Sequence, residues 1–255
     1  MNIVILGTGN AATILGRKFR KAGHIMLQVA GRNAASSSSL ANEWDCGFTN
    51  NWDTVVTHAD VYIIAVSDQA IIEVSQHLKL PGRVVAHTAA SVSKEILKPV
   101  TPHYGVFYPL QSLSKDLKEL PDIPIFYDGS DTLALKTLEQ LALSIAPDNV
   151  TQAGDEARLK LHVAAVIVSN FTNHLYSMAE NFCAREGLDF SQLLPLIEET
   201  ASRIKEMAPA KAQTGPAIRQ DEVTIHKHLE LLDSHPGIKK LYRFLTESIA
   251  TTSSI

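Results

Sequence analysis

The sequence is poor in cysteine, in basic clusters and in long apolar runs, and each shortage excludes a class of protein. Its 255 residues include two cysteines, Cys46 and Cys183, which lie far apart with neither a C-x-x-C pattern nor paired histidines around them. A disulfide framework and a zinc site are therefore not indicated, and we expect no metal. The formal net charge of −4 without a long basic run argues against nucleic acid as a partner.

The chain also lacks a basic leader and an apolar run long enough to cross a bilayer. We therefore expect a cytoplasmic protein that has no membrane partner. Hydrophobic residues make up 45% of the chain, which is enough for a sizeable core. The length suits either one large domain or a dinucleotide domain with a smaller companion.

An apolar run, Ile3 to Leu6, ends abruptly at Gly7 near the start of the chain. Gly7, Gly9 and Ala12 occupy the three small positions of a G-x-G-x-x-A motif between a predicted strand and a predicted helix. The first glycine permits a tight turn, the second lets backbone N–H groups approach a pyrophosphate, and the alanine keeps the helix close to the strand. We predict that the cofactor's pyrophosphate is held here, by Gly7, Thr8, Gly9, Asn10, Ala11 and Ala12. A purely structural turn is the alternative.

The tip of the next predicted strand, Ile25 to Ala30, indicates which dinucleotide binds. An NAD site usually has an acidic residue there, whereas an arginine suits the 2′-phosphate of NADP. Here Arg32 and Asn33 follow the strand and no acid lies at its tip. The guanidinium and the amide offer donors to a phosphate, so we predict NADP (NADPH) as the cofactor. Alternatively, Arg32 is a solvated residue, and Ser36 to Ser39 form a loop and a helix cap.

Two further apolar runs predict buried strands that end in polar residues. Val61 to Val66 is followed by Ser67 and Asp68, and Arg83 to Thr88 ends in His87 and Thr88. Ligands of open α/β sheets lie beyond the carboxyl ends of the strands. We therefore expect a cofactor-facing group of Val66, Ser67, Asp68, His87 and Thr88. A plain helix cap at Ser67 and a structural histidine at position 87 are the alternatives.

The alternation of strands and helices continues to about residue 152 and then gives way to helical patterns. This order predicts an α/β fold: a Rossmann-type, doubly wound, mostly parallel sheet followed by an all-α C-terminal domain. We place a dinucleotide-binding domain at residues 1–152. A helical domain for substrate binding and dimerisation is placed at residues 153–255.

A long predicted helix, Glu156 to Arg185, is strongly apolar but carries a polar stripe that includes His162 and Asn170. Their separation of eight residues places the two side chains on neighbouring rows of one helix face. Polar groups on an otherwise buried helix need partners. A ligand, a second subunit and ordinary hydrogen bonds in the core are the alternatives.

Four segments together resemble a known family: Gly7-Thr-Gly-Asn-Ala-Ala12, Tyr108-Pro-Leu-Gln111, the helix with His162 and Asn170, and Thr214-Gly-Pro-Ala-Ile-Arg-Gln-Asp221. They resemble NADP oxidoreductases of the 6-phosphogluconate-dehydrogenase-like superfamily that join a Rossmann domain to a C-terminal helical domain of unknown function. The N-terminal part is also similar to pyrroline-5-carboxylate reductase and to deazaflavin-dependent NADP reductases. Tyr108 stands where such proteins often have His, and Gln220 where they often have Gly.

The resemblance implies an active site between the two domains and a homodimer built largely from the helical domain. Together with the motifs, it predicts an NADP-dependent oxidoreductase that transfers hydride to or from a small C=O or C=N substrate. The candidates for polarising or protonating the reacting group are His162, Asn170 and Tyr108. A non-catalytic dinucleotide sensor or scaffold and a deazaflavin-NADP reductase are the alternatives.

Overall fold

The structure, a computed structural model, describes residues 1–116 and 119–252. Within these residues eight strands form one sheet. They are β1 Asn2–Leu6, β2 Ile25–Ala30, β3 Gly47–Thr49, β4 Val61–Ile64, β5 Val84–His87, β6 Tyr104–Pro109, β7 Ile125–Gly129 and β8 Val150–Gln152. Their order across the sheet is β3-β2-β1-β4-β5-β6-β7-β8.

The sheet is parallel from β3 to β6, after which β7 runs antiparallel to β6 and β8 pairs in parallel with β7. The strand order reverses at β1, because β2 and β3 lie on one side of it and β4 to β6 on the other. At such a reversal the connections after the two central strands leave in opposite directions and open a crevice beyond the strand ends. The doubly wound, mostly parallel sheet predicted from the sequence is confirmed.

Ten α-helices accompany the sheet in the described part of the chain. They are α1 Asn10–Lys21, α2 Ala34–Trp44, α3 Asp68–His77, α4 Thr132–Ile145, α5 Asp155–Ala165, α6 Thr172–Glu186, α7 Leu194–Arg203, α8 Pro209–Ala212, α9 Glu222–Leu231 and α10 Pro236–Thr252. A π-helical segment, Val166–Phe171, joins α5 to α6. The chain divides into two compact units, Met1–Ser169 and the residues from Asn170 onward. The functional boundary predicted after residue 152 stays a prediction, and residues 253–255 of the predicted helical domain lie outside the described residues.

The core of the first unit lies on both faces of the sheet. Along β1 the side chains of Ile3 and Ile5 enter one apolar cluster, and those of Val4 and Leu6 enter another. All four are fully buried, as an uninterrupted apolar run in a parallel sheet requires. Full burial of one such side chain stabilises the fold by about 1.5–3 kcal/mol. The central strands β1 and β4 therefore give a rigid support to the loops that follow them.

Three sequence predictions need correction. β4 and β5 are each shorter than predicted, because the chain bends away after Ile64 and after His87. The helix expected from Glu156 to Arg185 is interrupted by the π-helical segment. The helix was also expected to be buried apart from its polar stripe, but its apolar side chains Val163 and Phe171 are more than half exposed in the single chain. Among the described residues, no helix combines the length and apolarity needed to cross a membrane.

Candidate functional site

The turn after β1 contains two glycines with different roles. Gly7 has a backbone φ of +131°, and a Cβ at this position would lie 2.1 Å from the carbonyl oxygen of Ala65. Only glycine fits such a conformation and such a close approach. A Cβ at Gly9 would instead meet no atom within 4 Å, so the turn opens to free space at Gly9. Ala12 is fully buried, as expected for the residue that keeps α1 close to β1.

The helix that begins at this turn has no cap of its own. Gly9 occupies the N-cap position, no side chain accepts a hydrogen bond there, and the first turn of α1 has no acidic residue. By contrast, the side chains of Asn33 and Asp131 cap α2 and α4. The free N–H groups of a helix start need acceptors and carry the positive end of the helix dipole. A phosphate is the kind of acceptor that fits this position.

A cavity of about 430 Å³ lies at the ends of β1, β2 and β4, entirely within the first unit. Nine of the predicted cofactor residues line it. They are Gly7, Thr8, Gly9, Asn10, Ala11, Arg32, Asn33, Val66 and Ser67. The other four predicted cofactor residues, Ala12, Asp68, His87 and Thr88, do not line this cavity.

Arg32 and Asn33 lie at the tip of β2, where the sequence places the 2′-phosphate of NADP. Both are exposed. The amide oxygen of Asn33 accepts the backbone N–H of Ser36 at 2.9 Å, so only its Nδ2 group remains free to donate to a ligand. Ser36 to Ser39 lie inside α2 instead of forming a loop. Arg32 is thus the charged donor at this end of the cavity.

The cavity wall also contains six residues that the sequence analysis did not select: Gly31, Trp52, Ala65, Ala70, Glu73 and Val74. Trp52 and Glu73 are the two largest polar or aromatic side chains among them. Trp52 follows β3 in a short 3-10 turn, and Glu73 is on α3. Neither belongs to a recognisable motif, and neither local sequence differs from an ordinary loop or helix. A weak signal existed for Trp52, because the crevice of a doubly wound sheet is formed by the connections after its central strands.

His87, which the sequence analysis placed among the cofactor-facing residues, does not line the cavity. Its ring is fully buried at the end of β5, where Nδ1 accepts the backbone N–H of Ala89 at 3.2 Å. Burial, together with a smaller effect of the nearby Arg158 charge, lowers the pKa of His87 to about 4. Both faces of a parallel sheet are covered, so a residue at a strand end can still point into the core. His87 is neutral at physiological pH.

Tyr108 and His162 are brought together, as their selection as catalytic candidates requires. The Tyr108 hydroxyl lies 3.0 Å from Nδ1 of His162, and the two rings meet edge to face at 78°. Burial raises the pKa of Tyr108 above its usual value, which outweighs the opposing effect of the Arg158 charge. The phenol therefore keeps its proton at neutral pH. Both residues belong to the first unit.

Asn170 and Asp68 complete the predicted set. Asn170 is the first residue of the second unit and is exposed, within the π-helical segment. The regular helical period used to place it beside His162 does not extend through this segment. Asp68 begins α3 and accepts a hydrogen bond from the Ser91 hydroxyl at 2.5 Å. That bond links the connection after β4 to the connection after β5.

Taken together, these residues fit a dinucleotide. The uncapped start of α1 and the open position at Gly9 offer donors where the pyrophosphate would lie, and the exposed guanidinium of Arg32 offers donors where the 2′-phosphate would lie. The Tyr108–His162 pair provides groups that can exchange a proton. A bound nicotinamide cofactor would supply the hydride.

Comparison with known proteins agrees with this geometry. Residues 2–91 match the family model described as NADP oxidoreductase coenzyme F420-dependent, and residues 123–249 match a domain of unknown function. The crystal structure of a "putative NADP oxidoreductase" from Bacteroides fragilis is 36% identical in sequence, covers 98% of both chains and superimposes with a TM-score of 0.90. No protein among the curated sequences matches the chain.

More distant solved structures share the fold. A 1-pyrroline-5-carboxylate reductase from Streptococcus pyogenes is 13% identical over 98% of both chains, with a TM-score of 0.65. An imine reductase from Myxococcus stipitatus, solved in complex with NADP+, is 15% identical over 100% of this chain and 93% of its own, with a TM-score of 0.64. At these identities the likeness concerns the fold.

Proposed function

Because this chain belongs to the family of NADP oxidoreductases in which a Rossmann domain precedes a helical domain of unknown function, we propose that it binds NADP and transfers hydride between the nicotinamide and a small C=O or C=N substrate. The observation that supports this most strongly is the uncapped start of α1. This helix start opens beside Gly9 onto the cavity, and Arg32 lines the same cavity at the end of β2.

Each part of the cofactor has residues suited to it. The backbone N–H groups of Gly9, Asn10 and Ala11 hold the pyrophosphate, because they lie at the positive end of the α1 dipole. The N–H of Gly7 is not available, since it donates to the carbonyl oxygen of Ala30 at 2.7 Å. Arg32 holds the 2′-phosphate with its planar fork of donors, and Nδ2 of Asn33 adds a neutral hydrogen bond. Trp52 and Glu73 form the wall of the same cavity and border the adenosine part.

In this proposal the reacting group meets the Tyr108–His162 pair. The Tyr108 hydroxyl holds Nδ1 of His162, so Nε2 is the ring nitrogen left to exchange a proton with the substrate. In the reductive direction hydride adds to the carbon of the C=O or C=N group, and the proton from His162 goes to its oxygen or nitrogen. Asn170 is the third candidate, as an amide that hydrogen-bonds the substrate.

Calorimetric titration with NADPH and NADH tests the cofactor. We expect NADPH to bind more tightly than NADH, and Arg32→Ala to weaken NADPH binding toward the NADH level, by about 1.5–3 kcal/mol for a charged hydrogen bond. Lys136→Ala removes an exposed cation from α4, outside the cavity, and serves as the matched control. Equal binding of both nucleotides by the wild-type protein would contradict the choice of NADP.

Turnover is then measured with NADPH and a panel of ketoacids, cyclic imines and an oxidised deazaflavin. Oxidation of NADPH that depends on one substrate class establishes the enzyme and identifies the class. Tight NADPH binding without turnover on any of them would favour a dinucleotide sensor instead. If neither nucleotide binds, the glycine turn is structural and the proposal fails.

We also propose that two copies associate through the helical domain. Large apolar side chains are more than half exposed there in the single chain, among them Val168, Leu196 and Phe244. Exposed apolar surface of this extent commonly marks an interface. Light scattering should give a mass of twice 27.8 kDa, and Phe244→Glu should reduce it toward one chain. Phe48→Glu, at an exposed position of β3, is the matched control, and a single-chain mass for the wild-type protein would exclude the dimer.

A further inference from the structure

The helix α5 is held in place by a charged residue. Among its eleven residues only Arg158 is buried, and that side chain has no exposed surface beyond about 1%. The apolar neighbours Leu159 and Val163 are about half exposed. Most helices are anchored by an apolar stripe, and burial of a guanidinium is costly unless it is well hydrogen-bonded. The anchoring of α5 within the first unit therefore depends on what Arg158 binds.

Arg158 binds the segment that follows β5, residues 88–93, which we call the β5 loop. Its Nε donates to the carbonyl oxygen of Ala90 at 3.1 Å, and its Nη2 donates to that of Val92 at 2.7 Å. Nη2 also pairs with Asp155 at 2.9 Å, and Asp155 in turn accepts a hydrogen bond from the Ser93 side chain. The rigid fork of the guanidinium thus fixes one end of α5 against two carbonyls of the loop.

Arg158 and His162 lie on the same face of α5, because four residues separate them. One helical turn therefore connects the anchored guanidinium to the ring that bonds Tyr108. The β5 loop follows β5, and Tyr108 is in β6, the strand that pairs with β5. A helix fixed at Arg158 brings His162 to the end of the adjacent strand.

We propose that Arg158 is a positioning residue, which anchors α5 to the β5 loop and so holds His162 within hydrogen-bond distance of Tyr108. Its importance for turnover rests on the proposed function, but its effect on the geometry does not. Arg158 itself does not touch the reacting atoms. Its loss leaves the cavity between Gly7 and Arg32 intact, because it does not line that cavity.

The test observes the His162 ring directly by NMR. Protein labelled with ¹⁵N-histidine contains ten histidines, and the His162 signals are identified by their absence from His162→Gln. Tyr108→Phe gives the reference spectrum without the hydrogen bond. We expect Arg158→Met to move the His162 signals to the Tyr108→Phe positions. Lys160→Met removes an exposed cation from the same helix, where Lys160 pairs with Glu156, and should leave them unchanged.

Arg158→Lys resolves the case in which Arg158→Met does not fold. Lysine keeps the charge but lacks the fork that spans two carbonyls, so the same displacement of the His162 signals is expected. A folded variant with wild-type His162 signals overturns the proposal. It is also overturned if neither variant folds, since Arg158 would then support the whole unit instead of positioning one ring.

Turnover gives an independent reading once a substrate is known. Arg158→Lys should lower kcat by about tenfold through misplacement of His162, while the Kd for NADPH stays within about twofold of wild type. In a His162→Gln background the same substitution should cause no further loss of kcat. An equal loss in both backgrounds would show that Arg158 acts elsewhere. Absence of turnover in the wild-type protein would count against the proposed function and leave the NMR result standing.

Discussion

The hydroxyl oxygen of Tyr108 lies 3.0 Å from Nδ1 of His162, although 54 residues separate them in the chain. Tyr108 is the last residue but one of β6, and His162 is on α5, the first helix after the last strand of the sheet. Because each side chain holds the other through one hydrogen bond, removing either one leaves the other without that partner. This coupling leads to two predictions about turnover.

His162→Gln should lower kcat by about 10²-fold, because a positioned proton donor contributes that much and glutamine cannot replace it. The Kd for NADPH should stay unchanged, since His162 is not part of the cavity wall. Steady-state kinetics and calorimetry on the same protein measure both. His226→Gln, on the exposed face of α9, is the control for loss of a histidine. An unchanged kcat would remove His162 from the mechanism.

Tyr108→Phe should be non-additive with His162→Gln. The phenylalanine keeps the aromatic packing but removes the hydrogen bond that holds Nδ1. If the pair acts as a unit, kcat of the double variant equals that of His162→Gln alone within about twofold. If the fold loss of kcat in the double variant equals the product of the two single fold losses, the residues act independently.

The two glycines of the β1 turn should separate stability from cofactor binding. Gly7→Ala places a Cβ 2.1 Å from a backbone oxygen in a left-handed conformation, so we expect a loss of roughly 3 kcal/mol in the free energy of unfolding. Gly9→Ala meets no atom, so the protein should fold normally but bind NADPH at least about tenfold more weakly.

Gly154→Ala is the matched control for Gly9→Ala. Gly154 also occupies an N-cap without a side-chain hydrogen bond, and a Cβ there also meets no atom within 4 Å. Thermal unfolding and calorimetric titration should show that Gly154→Ala has the stability and the NADPH affinity of the wild type. Equal NADPH affinities of Gly9→Ala and the wild type would refute the role of Gly9 as the pyrophosphate cradle.

The buried ring of His87 should make stability fall in mild acid. Its pKa is about 4 in the folded protein and about 6.5 in an unfolded chain, so between these values the unfolded state binds a proton that the folded state does not. The free energy of unfolding therefore falls as the pH drops from 6.5 toward 4, by about 2 kcal/mol by pH 5. Arg158, Asp155 and Asp68 are the charged groups that act on the ring.

Urea unfolding at pH 7 and pH 5 measures this contribution. His87→Asn retains a carbonyl oxygen that can accept the Ala89 N–H but removes the titrating ring. From pH 7 to pH 5 the free energy of unfolding should fall by about 2 kcal/mol less in the variant than in the wild type. His24, whose pKa burial also lowers, is present in both proteins and cancels in the comparison. An identical pH dependence of the two proteins would show that another group dominates.

The sequence predicted those features that depend on neighbouring residues. The glycine turn, the buried strands and the switch to helices after the sheet follow from local pattern, because Gly7 and Gly9 stand between an apolar run and a helix. The pairing of Tyr108 with His162 followed from neither residue's own surroundings. Both were selected as candidates, and only the fold brings them to 3.0 Å.

The remaining features depend on packing that a single sequence does not record. A lone arginine on a helix is ordinarily solvated, so nothing in the pattern singles out Arg158 as the buried residue of α5. His87 follows an apolar strand just as an exposed site residue would, and its burial is a property of the covered sheet. The apolar residues of α5 indicate a helix face but not what covers it.

On the proposed function, the uncapped start of α1 would link the lifetime of the protein to its nucleotide supply. Without an anion, the first N–H groups of this helix have no acceptor within the helix, and such a helix start is less stable than the buried core. A ligand at about one hundred times its Kd adds about 2.7 kcal/mol to stability by mass action. If NADP binds here as we propose, a fall in its supply would remove this stabilisation, and proteases that act on open chains would remove the protein faster.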